Sequence, residues 1–284
     1  MSLVPDWLEQ KAKAAEQKTK AKATPKPKAE VIQLPTWTEI ERAIPNHLAR
    51  SSLFAPIARG RRKVHRGTVL VSRSDAVIEY WGDQLDEAQA DVWMQAIHVA
   101  RQAPLGEPIT INRAAFLRAI GRDTGKWQYE WLLRTMKTLV VSAIMIEVRK
   151  NGKTRLKVEN LNLLDSFSLD ETTEEYTLKI NPKWIALYEN SEFALIDWNK
   201  RFQIENRIDL AKRLQRLVAT SSDKVQRYSL EYLKEVCCYD SPMRKFKEAL
   251  EEAMIELERL HIIQNPKIEL STQGKEQAYW NRFK

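Results

Sequence analysis

The sequence predicts an α+β chain, mainly helical, built as two tandem winged helix-turn-helix domains preceded by a flexible basic N-terminal arm. Three observations predict it. Between Ile109 and Val158 the pattern runs short strand, helix, glycine-flanked turn, second helix and basic hairpin. From Ile208 to Leu270, helix, turn, helix and strand follow in the same order, without a residue-by-residue repeat. Ahead of both, Lys, Ala and Gln dominate residues 11–28, which end in Pro25-Lys26-Pro27-Lys28, a composition too poor in apolar groups to order itself around a core. The expected boundaries are an arm over 1–36, a first domain over 37–190 and a second over 191–284.

The arm serves either non-specific DNA attraction or solubility. After Trp37 an apolar segment passes through Ile40, Ile44 and Leu48 to Leu53 and Phe54, and then comes the run Arg59-Gly60-Arg61-Arg62-Lys63-Val64-His65-Arg66. It reads as a basic loop, either a solvated surface or a phosphate-contacting arm through Arg61, Arg62 and Lys63. Val69–Val71 and Val77–Tyr80 read as paired strands. A helix from Asp86 to Arg101 follows, with Val92, Trp93, Ala96, Ile97 and Ala100 on one face, and Pro104 ends it.

Ile109-Thr110-Ile111 alternates as a strand, and Asn112 suits the N-cap of a helix through Phe116, Leu117 and Ile120. Gly121 stops that helix. The next runs from Gly125 to about Val141, with Tyr129, Leu132, Met136 and Leu139 as its buried stripe. Asn151-Gly152 then marks a hairpin carrying Arg149, Lys150, Lys153, Arg155 and Lys157. Leu161 to Phe167 closes the unit, and the acidic, Thr-rich stretch Asp170–Glu175 reads as a loop. Thr177–Ile180 is a strand, and Asn181-Pro182 caps a helix through Trp184 and Leu187.

In the second unit one helix carries Ile208, Leu210, Ala211, Leu214 and Leu217. Ser229 caps a short helix through Leu230, Leu233 and Val236, and Asp240-Ser241-Pro242 opens a long helix to about Leu260. Ile262–Leu270 follows as a strand.

Composition narrows the function. A net charge of +8 over 284 residues favours polyanionic partners, nucleic acid before membrane, and no apolar run reaches a bilayer-spanning length. The N-terminus lacks a secretory pattern, so a cytoplasmic protein is expected. Cys237 and Cys238 are adjacent, which disfavours a structural disulfide. The four histidines show no metal-ligand spacing, and no catalytic, metal or cofactor residues are expected. Gly121 to Trp127 superficially matches a nucleotide-binding loop. It fails because three residues separate its glycines, Trp127 replaces the magnesium-binding Ser or Thr, and a helix precedes it.

The long helix after Pro242 gives the sharpest candidates. Met243, Phe246, Leu250, Ala253, Met254, Leu257 and Leu260 form its apolar stripe, and Arg244, Lys245 and Lys247 crowd the start, where the helix dipole disfavours cations by roughly 0.3–1 kcal/mol each. Recognition helices read bases from that end, which explains the placement; an ordinary solvated face is the bland alternative. In the first unit Lys126 and Gln128 can reach phosphate and adenine edges, and the outward Trp127 and Trp131 either pack on a neighbouring segment or touch thymine methyls and sugars. Lys150, Lys153 and Arg155 suit phosphate rather than bases.

Arg42-Ala43-Ile44-Pro45-Asn46 is followed by Ala49-Arg50-Ser51-Ser52-Leu53-Phe54, and Pro104-Leu105-Gly106-Glu107-Pro108-Ile109-Thr110 makes a second mark. With Asp240 to Lys247, which agrees in character, these segments resemble plasmid replication initiators of the TrfA type. The resemblance spans roughly Trp37 to the C-terminus. It implies a tandem winged-helix protein that binds iterons at a plasmid origin, opens the neighbouring AT-rich DNA, recruits the host initiator and replicative helicase, and exists partly as a dimer that must become a monomer to act. By analogy Lys126 and Gln128, and Arg244, Lys245 and Lys247, would face successive major grooves. The clamp-binding peptide of the family is poorly matched by Gln33-Leu34-Pro35-Thr36-Trp37, which lacks its Leu-Phe pair and counts against sliding-clamp binding. The first expectation is therefore an initiator without enzymatic activity. The alternatives are a sequence-specific repressor and, less favoured, a DNA nuclease or relaxase.

Overall fold

A computed structural model describes residues 32–57, 62–151 and 153–283. The arm through residue 31, the candidate Arg61 with its neighbours Arg59 and Gly60, and the turn residue Gly152 lie outside the described residues. Two strands open the fold, β1 (Glu41–Pro45) and, after the one-turn helix α1 (Asn46–Ala49), β2 (Phe54–Ala55). β3 (Val64–Val69), β4 (Ala76–Asp83) and β5 (Leu85–Asp86) lead into α2 (Glu87–Ala100). The first helix-turn-helix comprises β6 (Ile109–Asn112), α3 (Arg113–Ala119) and α4 (Lys126–Val141), followed by the hairpin β7 (Ala143–Lys150) and β8 (Lys153–Asn162). β9 (Ser166–Asp170), β10 (Glu175–Lys179), β11 (Phe193–Asp197) and α5 (Trp198–Gln203) then connect to the second unit. That unit is α6 (Asp209–Ala219), β12 (Val225–Ser229), α7 (Leu230–Val236), α8 (Met243–Arg259), β13 (Ile263–Leu270) and β14 (Glu276–Arg282).

The expectation of a mainly helical chain is overturned: 37% of the described residues are helical and 32% lie in strands, spread over several sheets. The missed strands are short or polar. β1 pairs antiparallel with β11, some 150 positions away, and β12 and β14 pair so that only Ala278 and Trp280 of β14 are buried. The basic segment expected as a loop is β3 from Val64 onward, paired with β4, and the segment Pro182–Leu187 is a 3-10 helix closed by bonds such as Trp184 N–H to Asn181 O (3.0 Å).

Both units run helix, strand, helix, helix, hairpin, yet their sheets differ. In the second, β12, β14 and β13 form one sheet. In the first, the hairpin joins β4 and β3 in the order β3-β4-β7-β8, while β6 pairs with β10 and through it β9. Local chemistry sets the helix starts. Asn112 accepts from the backbone N–H groups of Ala114 and Ala115, Ser229 from that of Tyr232, and Asp86 with Gln89 forms a reciprocal capping box.

One apolar core gathers around Trp93, whose ring lies 5.1 Å from that of Trp184, and whose Nε1–H donates to Leu163 O (3.2 Å). A second, from Ile204 to Trp280, packs α6, α7 and α8 on the β12-β14-β13 sheet. Both belong to one compact body, residues 32–284, and ionic side chains fill part of the seam between them. Arg201 on α5 reaches both Asp91 and Glu87 of α2, and Arg216 on α6 bonds the other oxygen of Glu87. Glu87, Arg201 and Arg216 are fully buried. Arg213 donates to Ala49 O (2.7 Å) and Ser51 O (3.1 Å), so backbone beside the first core also bonds a side chain of the second unit.

Candidate nucleic-acid interface

In each unit the second helix of the helix-turn-helix buries one stripe and leaves its start open. On α8, Phe246, Leu250, Ala253, Met254 and Leu257 are buried. On α4, Leu132, Thr135, Met136 and Leu139 are. Neither helix receives a side-chain N-cap: Gly125 and Pro242 hold those positions. Free N–H groups and a cation in the first turn therefore coincide at both starts, an arrangement suited to an anion.

Ion pairing divides the predicted residues. Lys126, Lys150, Lys153, Arg155 and Lys245 are exposed and have no carboxylate partner among the described residues. Lys150 and Lys153 face each other across the hairpin end, where like charges destabilise; a polyanion bound there would remove that repulsion. Their neighbours are already neutralised. Arg149 is held above its ordinary range by the Glu147 carboxylate 2.8 Å away, and Lys157 likewise by Glu159. Arg244 pairs with Glu248 one turn on, and Lys247 with Glu276 of β14. Lys63 pairs with Asp240 (3.3 Å), linking the basic strand to the loop before α8.

Arg62 is engaged within the fold. Its guanidinium bonds Asp86, Gln84 O (2.7 Å) and Gln89 Oε1 (2.9 Å), locking the cap of α2. Gln128 accepts from Arg122 (3.1 Å). The two outward indoles part company: Trp127 is 78% exposed, whereas Trp131 packs on the first core with Arg122 stacked 3.6 Å from its ring centroid.

Sequence reading passed over Arg113. It stands in the first turn of α3, the same cation-at-the-start signal that singled out Arg244, and it lies beside α4. Tyr129, Lys126 and Glu130 of α4 share a cleft with Arg113, Leu169 and Tyr176. Among the described residues no group of three or more His, Cys, Asp or Glu is placed to hold a metal ion, and no helix is long and apolar enough to cross a membrane.

The family model described as TrfA protein matches residues 4–269. Plasmid replication initiator protein TrfA of Escherichia coli is 23% identical over 236 residues, which cover 80% of this chain. The chain spans 59% of that relative's length. Among solved structures, domains 2 and 3 of RctB align at TM-score 0.52 with 13% identity, over 85% of this chain and 99% of that one, a likeness of fold. A second crystal structure of RctB domains 2–3 aligns at TM-score 0.49 with 12% identity, over 80% of this chain and 95% of that one.

Proposed function

The chain belongs to the TrfA protein family, and from that membership we propose that it initiates plasmid replication by binding repeated sites in double-stranded origin DNA, with α4 and α8 as its reading helices. The observation that carries this is the recurrence, within the matched stretch, of a helix-turn-helix whose second helix starts uncapped and cationic, at Lys126 and again at Arg244 and Lys245. Exposed Lys150, Lys153 and Arg155 on the hairpin beside α4 add phosphate attraction. Opening of AT-rich DNA, recruitment of the host initiator and helicase, a dimer that yields to a monomer, and action in the bacterial cytoplasm complete the reading. The protein acts by binding, without bond-breaking chemistry of its own.

A footprint of the purified protein on its own plasmid origin tests this. Protected direct repeats, with strand opening in adjacent AT-rich sequence, are expected. Protection confined to an inverted repeat over the promoter would mean repression instead, and nicking of supercoiled origin DNA with magnesium would overturn the non-enzymatic reading.

A further inference from the structure

We propose that Arg113 is a DNA-phosphate contact held in check by Glu174, whose carboxylate occupies the phosphate's place until DNA displaces it. This rests on the DNA-binding reading above. Arg113 touches three elements at once: it opens α3, its guanidinium lies 4.1 Å from the ring centroid of Tyr129 on α4, and it forms an ion pair with Glu174 in the turn between β9 and β10. The Arg113 side chain is 20% exposed and that of Glu174 62%. The carboxylate is therefore the more exposed member of the pair, while Tyr129, half-buried against the first core, packs on the guanidinium.

The turn that delivers Glu174 is an ordered acidic knob. Asp170 accepts from the backbone N–H groups of Thr172 (2.8 Å) and Thr173 (3.2 Å), and Glu174 adopts φ 59°. Pairing of Glu175 with Asn112 sets the knob beside the first turn of α3. Asp170, Glu171, Glu174 and Glu175 thus gather where a protein of net charge +8 presents its reading helix. When a helix-turn-helix docks, its first helix crosses the DNA backbone while the second enters the groove, so a phosphodiester approaches α3 from the face that Glu174 covers. A guanidinium fork donates to carboxylate or phosphate oxygens alike. A partly exposed ion pair is weak in water, so a phosphate can replace it, releasing the Glu174 carboxylate to solvent.

The experiment is a salt titration of the full chain binding two labelled duplexes, one with its origin repeats and one of random sequence. Glu174→Gln is expected to tighten both by about twofold to fivefold, the worth of an exposed pair. Arg113→Met, which keeps the stem over Tyr129, is expected to weaken both and lower the salt slope by about one unit. Glu171→Gln removes a neighbouring charge that has no ion-pair partner among the described residues, and serves as the measure of general repulsion. In the Arg113→Met background, Glu174→Gln should gain no more than Glu171→Gln does. An equal gain from both glutamate variants in the native background, survival of the Glu174 gain without Arg113, or an unchanged slope in Arg113→Met overturns the proposal. Failure of the native chain to bind either duplex would instead sink the functional reading, and this inference with it. Thermal melts of each variant identify any that misfold, and Arg113→Lys, which keeps the charge but not the fork, then replaces Arg113→Met with a partial loss of affinity expected and no loss overturning the proposal.

Discussion

At the scale of single residues, base reading and phosphate attraction separate by what each cation is attached to. Arg244 sits on a rigid helix start with Glu248 one turn away to orient it, so Arg244→Ala should weaken binding by about 1–3 kcal/mol and relax preference at one base position. Lys153 sits on a hairpin opposite Lys150. Lys153→Ala should weaken all sequences alike and lower the salt slope by about one unit, while thermal stability holds or rises as the lysine pair is separated. Titrations on native and base-substituted repeats at several salt concentrations distinguish the two patterns. A third residue contributes to the pH response. Trp37 Nε1–H donates to His98 Nδ1 (3.0 Å), leaving Nε2–H for Glu39 (3.1 Å), and burial pushes His98 down to about 4. The folded state therefore prefers neutral His98. Its contribution is complete above the ordinary value of 6.5 and is lost as pH falls toward 4, on the order of 1–2 kcal/mol between pH 7 and pH 5. Glu39 is held below its ordinary 4.5, chiefly by the His98 hydrogen bond, so its own loss comes at lower pH. Urea unfolding at pH 7 and pH 5 should show the drop in the native chain, and His98→Gln, which keeps an acceptor for Trp37, should reduce it, leaving the part contributed by His47 and His65, which burial also pushes down.

At the scale of elements, the starts of α2, α3 and α7 are held by side chains close in sequence, and the α2 cap also claims a residue expected on DNA. Asp86 accepts from Gln89 N–H and pairs with Arg62. Asp86→Ala should cost about 0.5–2 kcal/mol in urea unfolding, and Arg62→Ala should lower stability with little change in DNA affinity. Such local signals are why α2, α3, α4, α6, α7 and α8 were legible: an apolar stripe repeats every three or four residues, and Asp86, Asn112 and Ser229 mark the starts of α2, α3 and α7. β1 and β11 were illegible because each finds its hydrogen bonds on the other, far along the chain, and neither alternates over more than a few residues. β14 hides its period in two buried positions, Ala278 and Trp280. The candidate interface divides the same way. A helix start with cations can be read from spacing, as at Arg244 and Lys245, but whether a cation is free depends on carboxylates brought by remote strands, as Glu276 is to Lys247 and Glu174 to Arg113.

At the scale of the whole molecule, the proposed function needs two reading helices held at a fixed separation and angle to serve one duplex, and the ionic seam between the cores is the candidate for that constraint. Apolar packing there would be non-directional, and replacing a buried ion pair with hydrophobic groups is often neutral or stabilising. Glu87 instead bonds two arginines, Arg201 and Arg216, from two helices. Arg216 also donates to Phe54 O (3.0 Å). Each guanidinium donates to its partners in only a few directions, so the network specifies orientation where grease would specify only contact. Glu87→Gln leaves Arg216 buried without a carboxylate and Arg201 with Asp91 alone, and should destabilise the fold by about 3–5 kcal/mol. The joint substitution Glu87→Leu, Arg201→Met and Arg216→Met removes the charges together and leaves Asp91 with Lys212, 3.2 Å away, so most of that loss should be recovered. Its binding should nonetheless change. One inserted base pair turns one half-site by about a tenth of a helical turn relative to the other, which a fixed seam resists and a greased one follows. The native chain should therefore discriminate sharply between native and one-base-pair-expanded sites, and the triple variant much less. Equal discrimination in a triple variant of native stability would show that packing alone sets the angle.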